Sequence, residues 1–170
     1  MKAIFALLLL LCTSAAQAQK TLPFVDEKPK YREWSSSFKI ESVEYLPDLM
    51  VVNFLVVHET TKVGNFYPPN HRQAWLLRDE KGRTYPMLGL RDLRLNGKVH
   101  TPFVEKTTVV QDDPKVKRNL LRCKLYFPRL PDEVQQVDLI EGLGMEQYPN
   151  AYHAFQLRVY SFPKVPRPRA

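Results

Sequence analysis

Cysteine and glycine are scarce in this chain, and long apolar runs are confined to its first residues. There are 2 cysteines and 6 glycines among 170 residues. The low cysteine count excludes a disulfide-dense miniprotein, and the composition excludes a collagen-like repeat or a disordered tail. Beyond Cys12 no apolar run reaches the length of a membrane-spanning helix, so we expect no transmembrane segment in the mature chain.

Motifs of catalysis and metal binding are also missing. The sequence contains no G-x-S-x-G elbow, no phosphate-binding glycine loop and no H-E-x-x-H pair. Four histidines, His58, His71, His100 and His153, are scattered without ligand spacing to one another or to the cysteines. We therefore predict no catalytic residues, no metal site and no cofactor, although folding can bring distant side chains together.

The N-terminus has the three-part pattern of a secretory signal peptide. A basic start at Met1–Lys2 precedes the apolar run Ala3–Cys12, and Ala16-Gln17-Ala18 is typical of a cleavage site. Leu11 stands where a lipobox requires a small residue, which argues against lipidation at Cys12. We expect residues 1–18 to be removed and the protein to be periplasmic or secreted; a buried N-terminal helix or strand is the alternative.

Basic residues outnumber acidic ones, with 25 Lys and Arg against 18 Asp and Glu. Because the two signs are mixed through most of the chain and the protein is expected to be exported, we predict no nucleic-acid partner. Residues 163–170 carry three prolines and three basic side chains, typical of an exposed extended tail. Weak attraction to anionic surfaces is expected through this tail and Lys115, Lys117 and Arg118.

Alternation of apolar and polar residues predicts strands from Ser37 onward. Residues 19–36 are expected to form an extended lead-in that adds at most one edge strand. A change of parity predicts a bulge near Glu41–Ser42, and Asn96-Gly97 predicts a type I′ turn. The predicted strands lie in residues 37–45, Leu49–His58, 71–79, 83–88, Arg91–Leu95, Thr107–Gln111, Asn119–Phe127, Val134–Glu141 and Tyr152–Phe162, with a loop at Thr60–Asn70.

Short strands at intervals of about ten residues, without an amphipathic helix, are typical of an antiparallel β-sandwich or barrel. We predict an all-β fold in which residues 37–162 form a single Ig-like antiparallel β-sandwich of seven to nine strands. The Cys…Trp…Cys arrangement of antibody domains is absent. Cys123 shares its parity with Leu121, Leu125 and Phe127, so we expect its thiol to lie in the core.

Two groups of side chains are candidates for a functional role. Aromatic residues in loops beside prolines predict a partner-binding surface, comprising Phe66, Tyr67, Tyr148 and Tyr152. Glu141 follows the apolar parity of Val137 and Leu139, which predicts a partly covered carboxylate. Its expected partner in a buried ion pair is Arg122 or Arg158.

Two consecutive segments carry a resemblance to a known group of proteins. Leu125–Pro131, followed by Val137–Gly142, resembles the F-x-P-L-P … D-F-I-E-G pattern of uncharacterised exported Ig-like β-sandwich modules from the Bacteroides group of bacteria. Ala74–Asp79 and Gly82–Tyr85 are similar to the preceding hairpin of those modules. The resemblance implies a β-sandwich and an envelope location, and it implies no activity.

These patterns together predict a non-catalytic, exported module of the cell envelope. We expect it to have a binding or structural role and to engage an envelope protein or a glycan of unknown identity. The alternative is a small secreted hydrolase whose site is assembled only by the fold, and it predicts a deep pocket with two close carboxylates or a His–carboxylate pair.

Overall fold

The computed structural model describes residues 21–58, 62–100, 107–110, 118–145 and 151–162. Within these ranges the chain is built from strands and turns, and none of these residues lies in a helix. The strands, in chain order, are β1 Phe24–Asp26, β2 Arg32–Glu33, β3 Phe38–Tyr45, β4 Leu49–His58, β5 Lys62–Phe66, β6 Trp75–Asp79, β7 Thr84–Pro86, β8 Gly89–Leu95, β9 Lys98–Val99, β10 Thr107–Val110, β11 Asn119–Pro128, β12 Gln136–Glu141 and β13 Ala154–Arg158.

Two antiparallel sheets account for most of the strands. One has the order β1-β3-β4-β11-β8-β9, and the other has the order β2-β13-β12-β6-β7. A separate two-stranded pair joins β5 to β10. The all-β class and the two-sheet, sandwich-like architecture predicted from the sequence are therefore confirmed.

The central element is the pairing of β4 with β11. The two strands remain in register over their full length, from Asn119 opposite His58 to Pro128 opposite Leu49. Every second residue of each strand is buried, including Phe54 of β4 and Cys123 of β11, because alternate side chains of a strand point to opposite faces. The inward face therefore forms half of the core. The opposite face is mixed, with mostly apolar side chains on β4 beside the cations of β11.

The core lies between the two sheets. Phe54 of the larger sheet packs against Trp75 of the smaller one, with ring centroids 5.6 Å apart. Phe66 closes the same cluster, its ring centroid 5.7 Å from that of Trp75. Aromatic contacts of this kind span the space between the sheets and hold them face to face.

Two bulges interrupt the larger sheet on either side of the β4–β11 pair. The first lies in β3 between Ile40 and Ser42, where the sequence predicts it. The second lies in β8, where Arg94 pairs with Arg122 and Arg91 pairs with Lys124. Two residues of β8 therefore lie between these pairs, against one residue of β11. Asp92 in this bulge has a φ of 53°. Bulges re-aim side chains, and these two direct polar residues onto the outer face of the sheet.

The predicted Asn96-Gly97 turn is confirmed. Both residues have positive φ, 50° and 85°, as a type I′ turn requires. The side chain of Asn96 also bonds to the neighbouring strand, since its Oδ1 accepts the amide N–H of Leu120 at 2.8 Å. The turn is thereby anchored to β11.

Two sequence expectations are corrected. The segment Thr60–Asn70 was expected to be a loop, yet Lys62–Phe66 forms β5, because β10 supplies a partner strand that a local pattern containing Gly64 does not reveal. The lead-in contributes two edge strands, β1 and β2, and these belong to different sheets. It therefore joins the two sheets at their edges. Residues 1–20 and 163–170 lie outside the described residues.

The burial of the Cys123 thiol allows the predicted register of β11 to be tested by chemical labelling. Its side chain is 2% exposed, and burial raises its pKa well above the usual range, so the reactive thiolate is suppressed. In a Cys12→Ser chain we expect thiol reagents to label Cys123 slowly under native conditions and rapidly in denaturant. Cys123→Ala should lower the free energy of unfolding by about 1 kcal/mol, a small-cavity effect.

A matched control uses the exposed edge strand β9. Val99 is 57% exposed, so Val99→Cys should label rapidly under native conditions. If Cys123 reacted as fast as this control, its position in the core would be refuted.

Candidate functional site

A groove of about 370 Å³ runs across the outer face of the six-stranded sheet. Its base is the β4–β11 pair, and the bulged strands β3 and β8 form its sides. Its volume lies at the lower end of the range of about 300–1,000 Å³ typical of ligand sites. It is lined by Glu41, Ser42, Glu44, Asn53, Phe54, Asp92, Arg94, Arg122, Cys123 and Lys124.

Carboxylates of β3 neutralise the cations of β11. Arg122 donates from Nε and Nη2 to the Glu41 carboxylate, at distances between 3.0 and 3.1 Å. Lys124 Nζ donates to Glu44 Oε1 at 2.9 Å. Both pairs reach across β4, so each cation of β11 is drawn toward the β3 side of the groove.

Asn53 connects these pairs at the middle of the groove. Its Nδ2 donates to Ser42 Oγ at 2.9 Å and to Glu44 Oε1 at 2.8 Å. Partial burial raises the pKa of Glu44, but the hydrogen bonds from Asn53 and Lys124 outweigh this effect and bring it below its usual value. Glu44 is therefore ionised at neutral pH and acts as a hydrogen-bond acceptor.

Among the described residues, the cations of β8 have no carboxylate within ion-pair distance. Arg94 lies directly opposite Arg122, and Arg91 lies directly opposite Lys124, so two like-charge pairs face each other across the strands. The Arg91 guanidinium covers the Tyr126 ring, 5.4 Å from its centroid. Within the described part of the chain, Arg94 has no ion pair or hydrogen bond from its side chain. Like charges directly opposite in a sheet are destabilising, and here one member of each pair is left without a carboxylate partner.

Asp92 is the acidic residue on the β8 side of the groove. It stands in the β8 bulge between Arg91 and Arg94, and its side chain is exposed. No hydrogen bond or ion pair joins its carboxylate to another described residue. Among the described residues, the β8 side of the groove thus offers a guanidinium without an ion pair at Arg94. At Asp92 it offers a carboxylate that attracts Lys124 without bonding to it.

A second polar cluster lies in the smaller sheet, around Glu141. The carboxylate accepts the amide N–H of Tyr152 at 2.8 Å through Oε2. Burial raises the pKa of Glu141 to about 7, and the Tyr152 amide offsets only part of this effect. The Tyr152 hydroxyl in turn contacts His58 Nε2. Burial lowers the pKa of His58, which favours the neutral ring.

His153 completes this cluster as a structural residue. It is fully buried, and its Nδ1 accepts the amide N–H of Glu141 at 3.1 Å. Its Nε2 lies 2.9 Å from the carbonyl oxygen of Met145, which assigns the ring proton to Nε2. With both ring nitrogens bonded to backbone groups, His153 ties β12 to the turn that follows it.

A third network, around Asp79, stabilises the β6–β7 turn. Burial raises the pKa of Asp79, but hydrogen bonds from Arg83, Tyr85 and the amide of Lys81 outweigh it and hold the pKa at about 2. The shortest of these joins Arg83 Nε to Asp79 Oδ2 at 2.6 Å. Such multiple local bonding is characteristic of a turn rather than of a reactive site.

The predicted aromatic surface is corrected. Phe66 is fully buried against Trp75, and Tyr152 is buried with its ring stacked on Phe38, 6.0 Å between centroids. Both rings pack into the core because β5 and the segment before β13 run along its edge. Tyr67 is half-buried and stacks on His71, 4.5 Å between centroids. Tyr148 lies outside the described residues.

The expected ion pair of Glu141 is also corrected. Arg122 belongs to the other sheet and binds Glu41 on its outer face. Arg158 pairs in register with Gln136, at the opposite end of β12 from Glu141. Sequence parity correctly predicts a covered carboxylate, but its hydrogen-bond partner is a backbone amide.

Sequence reasoning missed Trp34 as well as the groove. Trp34 is 40% exposed and packs edge-on against Phe155, 5.4 Å between centroids. The groove was signalled in part by the polar parity of Arg122 and Lys124 and by the β3 bulge. The β8 bulge had no recognised signal, since Arg91–Leu95 alternates without interruption.

In the described ranges, no group of three or more His, Cys, Asp or Glu side chains is arranged to hold a metal ion. The same residues include no helix long and apolar enough to span a membrane. No family model matches the chain, and no curated protein or solved structure matches it significantly.

The raised pKa of Glu141 predicts a pH-dependent stability. The carboxyl titrates near 4.5 when exposed and at about 7 in the fold, so folding favours its protonated form. The stabilisation is fully present below pH 4.5 and is lost as the pH rises through 7. We expect Glu141→Gln to flatten this decline and to exceed the native chain in stability above pH 8 by about 1–3 kcal/mol.

Chemical denaturation at a series of pH values measures this effect. Glu80→Gln, in the exposed β6–β7 turn, is the matched control and should retain the native profile. An unchanged slope in Glu141→Gln would show that this carboxyl titrates as an exposed group.

Proposed function

We propose that the protein is an exported, non-catalytic binding module of the cell envelope with an Ig-like β-sandwich, and that it engages a glycan through the groove of the six-stranded sheet. Export rests on the signal-peptide pattern of residues 1–18. The two packed antiparallel sheets and the resemblance to the Bacteroides modules support the Ig-like assignment.

The glycan proposal rests on the mixture of hydrogen-bond donors and acceptors that the groove presents. Arg94 supplies up to five N–H donors, whereas the carboxylate of Asp92 is purely an acceptor. Asn53 uses its amide nitrogen within the groove, which leaves its Oδ1 as a further acceptor. A sugar hydroxyl both donates and accepts, so neighbouring hydroxyls can satisfy such a mixed surface at once.

The lining favours a glycan over a protein partner. Protein interfaces are anchored by exposed aromatic or aliphatic side chains, and their centres are depleted of charged residues. The apolar residues that line this groove are Phe54 and Cys123, and both side chains are buried in the core. The surface that a partner meets is therefore charged, which suits a polyhydroxylated ligand.

The electrostatics of the groove support binding rather than acid–base catalysis. A general acid at neutral pH requires a carboxyl with a raised pKa, as in the glycosidases. Glu44 has a lowered pKa, and Glu41 is held by Arg122. The carboxyl with a raised pKa, Glu141, lies in the other sheet and bonds to a backbone amide. These observations favour the binding module over the hydrolase alternative.

A glycan array followed by titration calorimetry tests the proposal. We expect the protein to bind envelope polysaccharide fragments, and Asp92→Asn to weaken that binding about fivefold, because a charged acceptor becomes a neutral one. Asparagine tolerates the positive φ of this position, so the bulge should persist.

Asp48→Asn, in the exposed turn between β3 and β4, is the matched control and should bind as the native protein does. Failure to bind any glycan, with capture of one defined envelope protein instead, would contradict the proposal.

Export is tested separately by cell fractionation and mass spectrometry. We expect the protein in the periplasmic or secreted fraction with Gln19 as its first residue. Ala18→Tyr should block processing, because the cleavage site requires a small residue. A cytoplasmic chain that retains residues 1–18 would refute the export assignment.

A further inference from the structure

The two opposed pairs of cations, Arg94 with Arg122 and Arg91 with Lys124, point to a preferred class of glycan. We infer that the groove selects a glycan that carries carboxylate groups, with Arg94 as the residue that binds the carboxylate. This inference rests on the proposed glycan-binding function and narrows it to acidic sugars.

The distribution of the counter-charges supports this assignment. Glu41 and Glu44 hold the two cations of β11, so the carboxylates of β3 are already occupied. The β8 partner of each pair has no carboxylate of its own among the described residues. A ligand carboxylate at Arg94 would therefore supply the missing negative charge beside the Arg94–Arg122 pair and relieve its repulsion.

Arginine is suited to this contact by its shape. Its guanidinium presents parallel N–H groups that match both oxygens of a carboxylate, whereas an ammonium group acts as a point charge. Among the described residues none accepts a hydrogen bond from Arg94, while Arg122 donates from Nε and Nη2 to Glu41. The carboxylate-binding role therefore falls to Arg94 rather than to Arg122.

Asp92 is consistent with an acidic sugar rather than with a simple anion. Free acetate at Arg94 would meet the negative charge of Asp92, two residues away on β8, and has no hydroxyl to donate to it. Inorganic phosphate, largely dianionic at neutral pH, would meet a stronger repulsion from Asp92. The hydroxyls of a uronic acid can donate to the Asp92 carboxylate while its own carboxylate binds Arg94. The pair Arg94 and Asp92 thus matches the two kinds of polar group on one sugar ring.

The decisive comparison uses two oligosaccharides that differ in one kind of group, which is repeated on each sugar. Oligogalacturonide and its carboxyl-reduced counterpart have the same linkages and differ in carrying carboxylates or neutral hydroxymethyl groups. In calorimetric titrations we expect the acidic form to bind at least tenfold more tightly. Oligoglucuronate and oligomannuronate are titrated in parallel. Acetate and inorganic phosphate are titrated as free anions, and we expect both to bind much more weakly than the acidic oligosaccharides.

Three variants test whether Arg94 causes the preference for the acidic oligosaccharide. Arg94→Gln should abolish the difference between the acidic and the reduced oligosaccharide, and Arg94→Lys should restore it in part, since charge is retained without the bidentate geometry. Lys98→Gln, on the exposed edge strand β9, removes the same net charge outside the groove and should leave the preference intact. Because Arg94→Gln removes a repulsive pair, its thermal unfolding midpoint should not fall below that of the native protein.

The outcomes separate this inference from the proposed function. Equal binding of acidic and neutral glycans, or an unchanged preference in Arg94→Gln, would overturn the inference and leave glycan binding standing. Binding of phosphate or acetate as tight as that of the uronates would also overturn it. Failure to bind any acidic or neutral glycan would overturn both.

Discussion

The ten-residue pairing of β4 with β11 is the interaction on which the rest of the structure depends. Its inward side chains, among them Phe54 and Cys123, form one half of the core that the smaller sheet covers. Its outward side chains, among them Asn53 and Arg122, form the base of the groove. Because the side chains of a strand alternate, one pair of strands supplies both the stabilising face and the base of the groove.

The two bulges contribute to the groove on the outer face of the larger sheet. In a regular sheet each strand would present evenly spaced side chains, and opposite charges could pair along the ladders. The β3 bulge instead places Glu41 and Ser42 in the lining, and the β8 bulge brings Asp92 and Arg94 into the same lining. As a result Arg94 lies directly opposite Arg122, and the proposed acidic ligand would supply a compensating charge there.

The buried polar groups outside the groove differ from the groove charges because they are satisfied by nearby hydrogen bonds. Glu141, His153 and Asp79 are bonded mainly to backbone amides, carbonyls or a neighbouring arginine within their own sheet. Their altered pKa values follow from burial and hydrogen bonding in the turns that they stabilise. A perturbed pKa in this protein therefore reflects burial and hydrogen bonding, and it does not by itself indicate a functional surface.

Much of the fold was predictable because it depends on local alternation. The parity of residues 119–127 correctly placed Cys123 in the core, the change of parity near Glu41 revealed a bulge, and Asn96-Gly97 revealed a turn. The same reasoning failed for Phe66 and Tyr152, whose burial depends on the β5–β10 pairing and on the packing of the other sheet. A pattern along one strand contains no information about the strand that will cover it.

The sequence by itself determined the all-β class, the main strands and the covered positions of Cys123 and Glu141, since each follows from the alternation of side chains along a single strand. Tertiary structure alone decided which charges meet. Glu41 and Arg122 are 81 positions apart in the chain and are joined only because β3 and β11 flank β4. Arg94 faces Arg122 because of the β8–β11 register, and the extra residue in β8 places Arg91 opposite Lys124. Strand order and register arise from long-range pairing, and the groove depends on both.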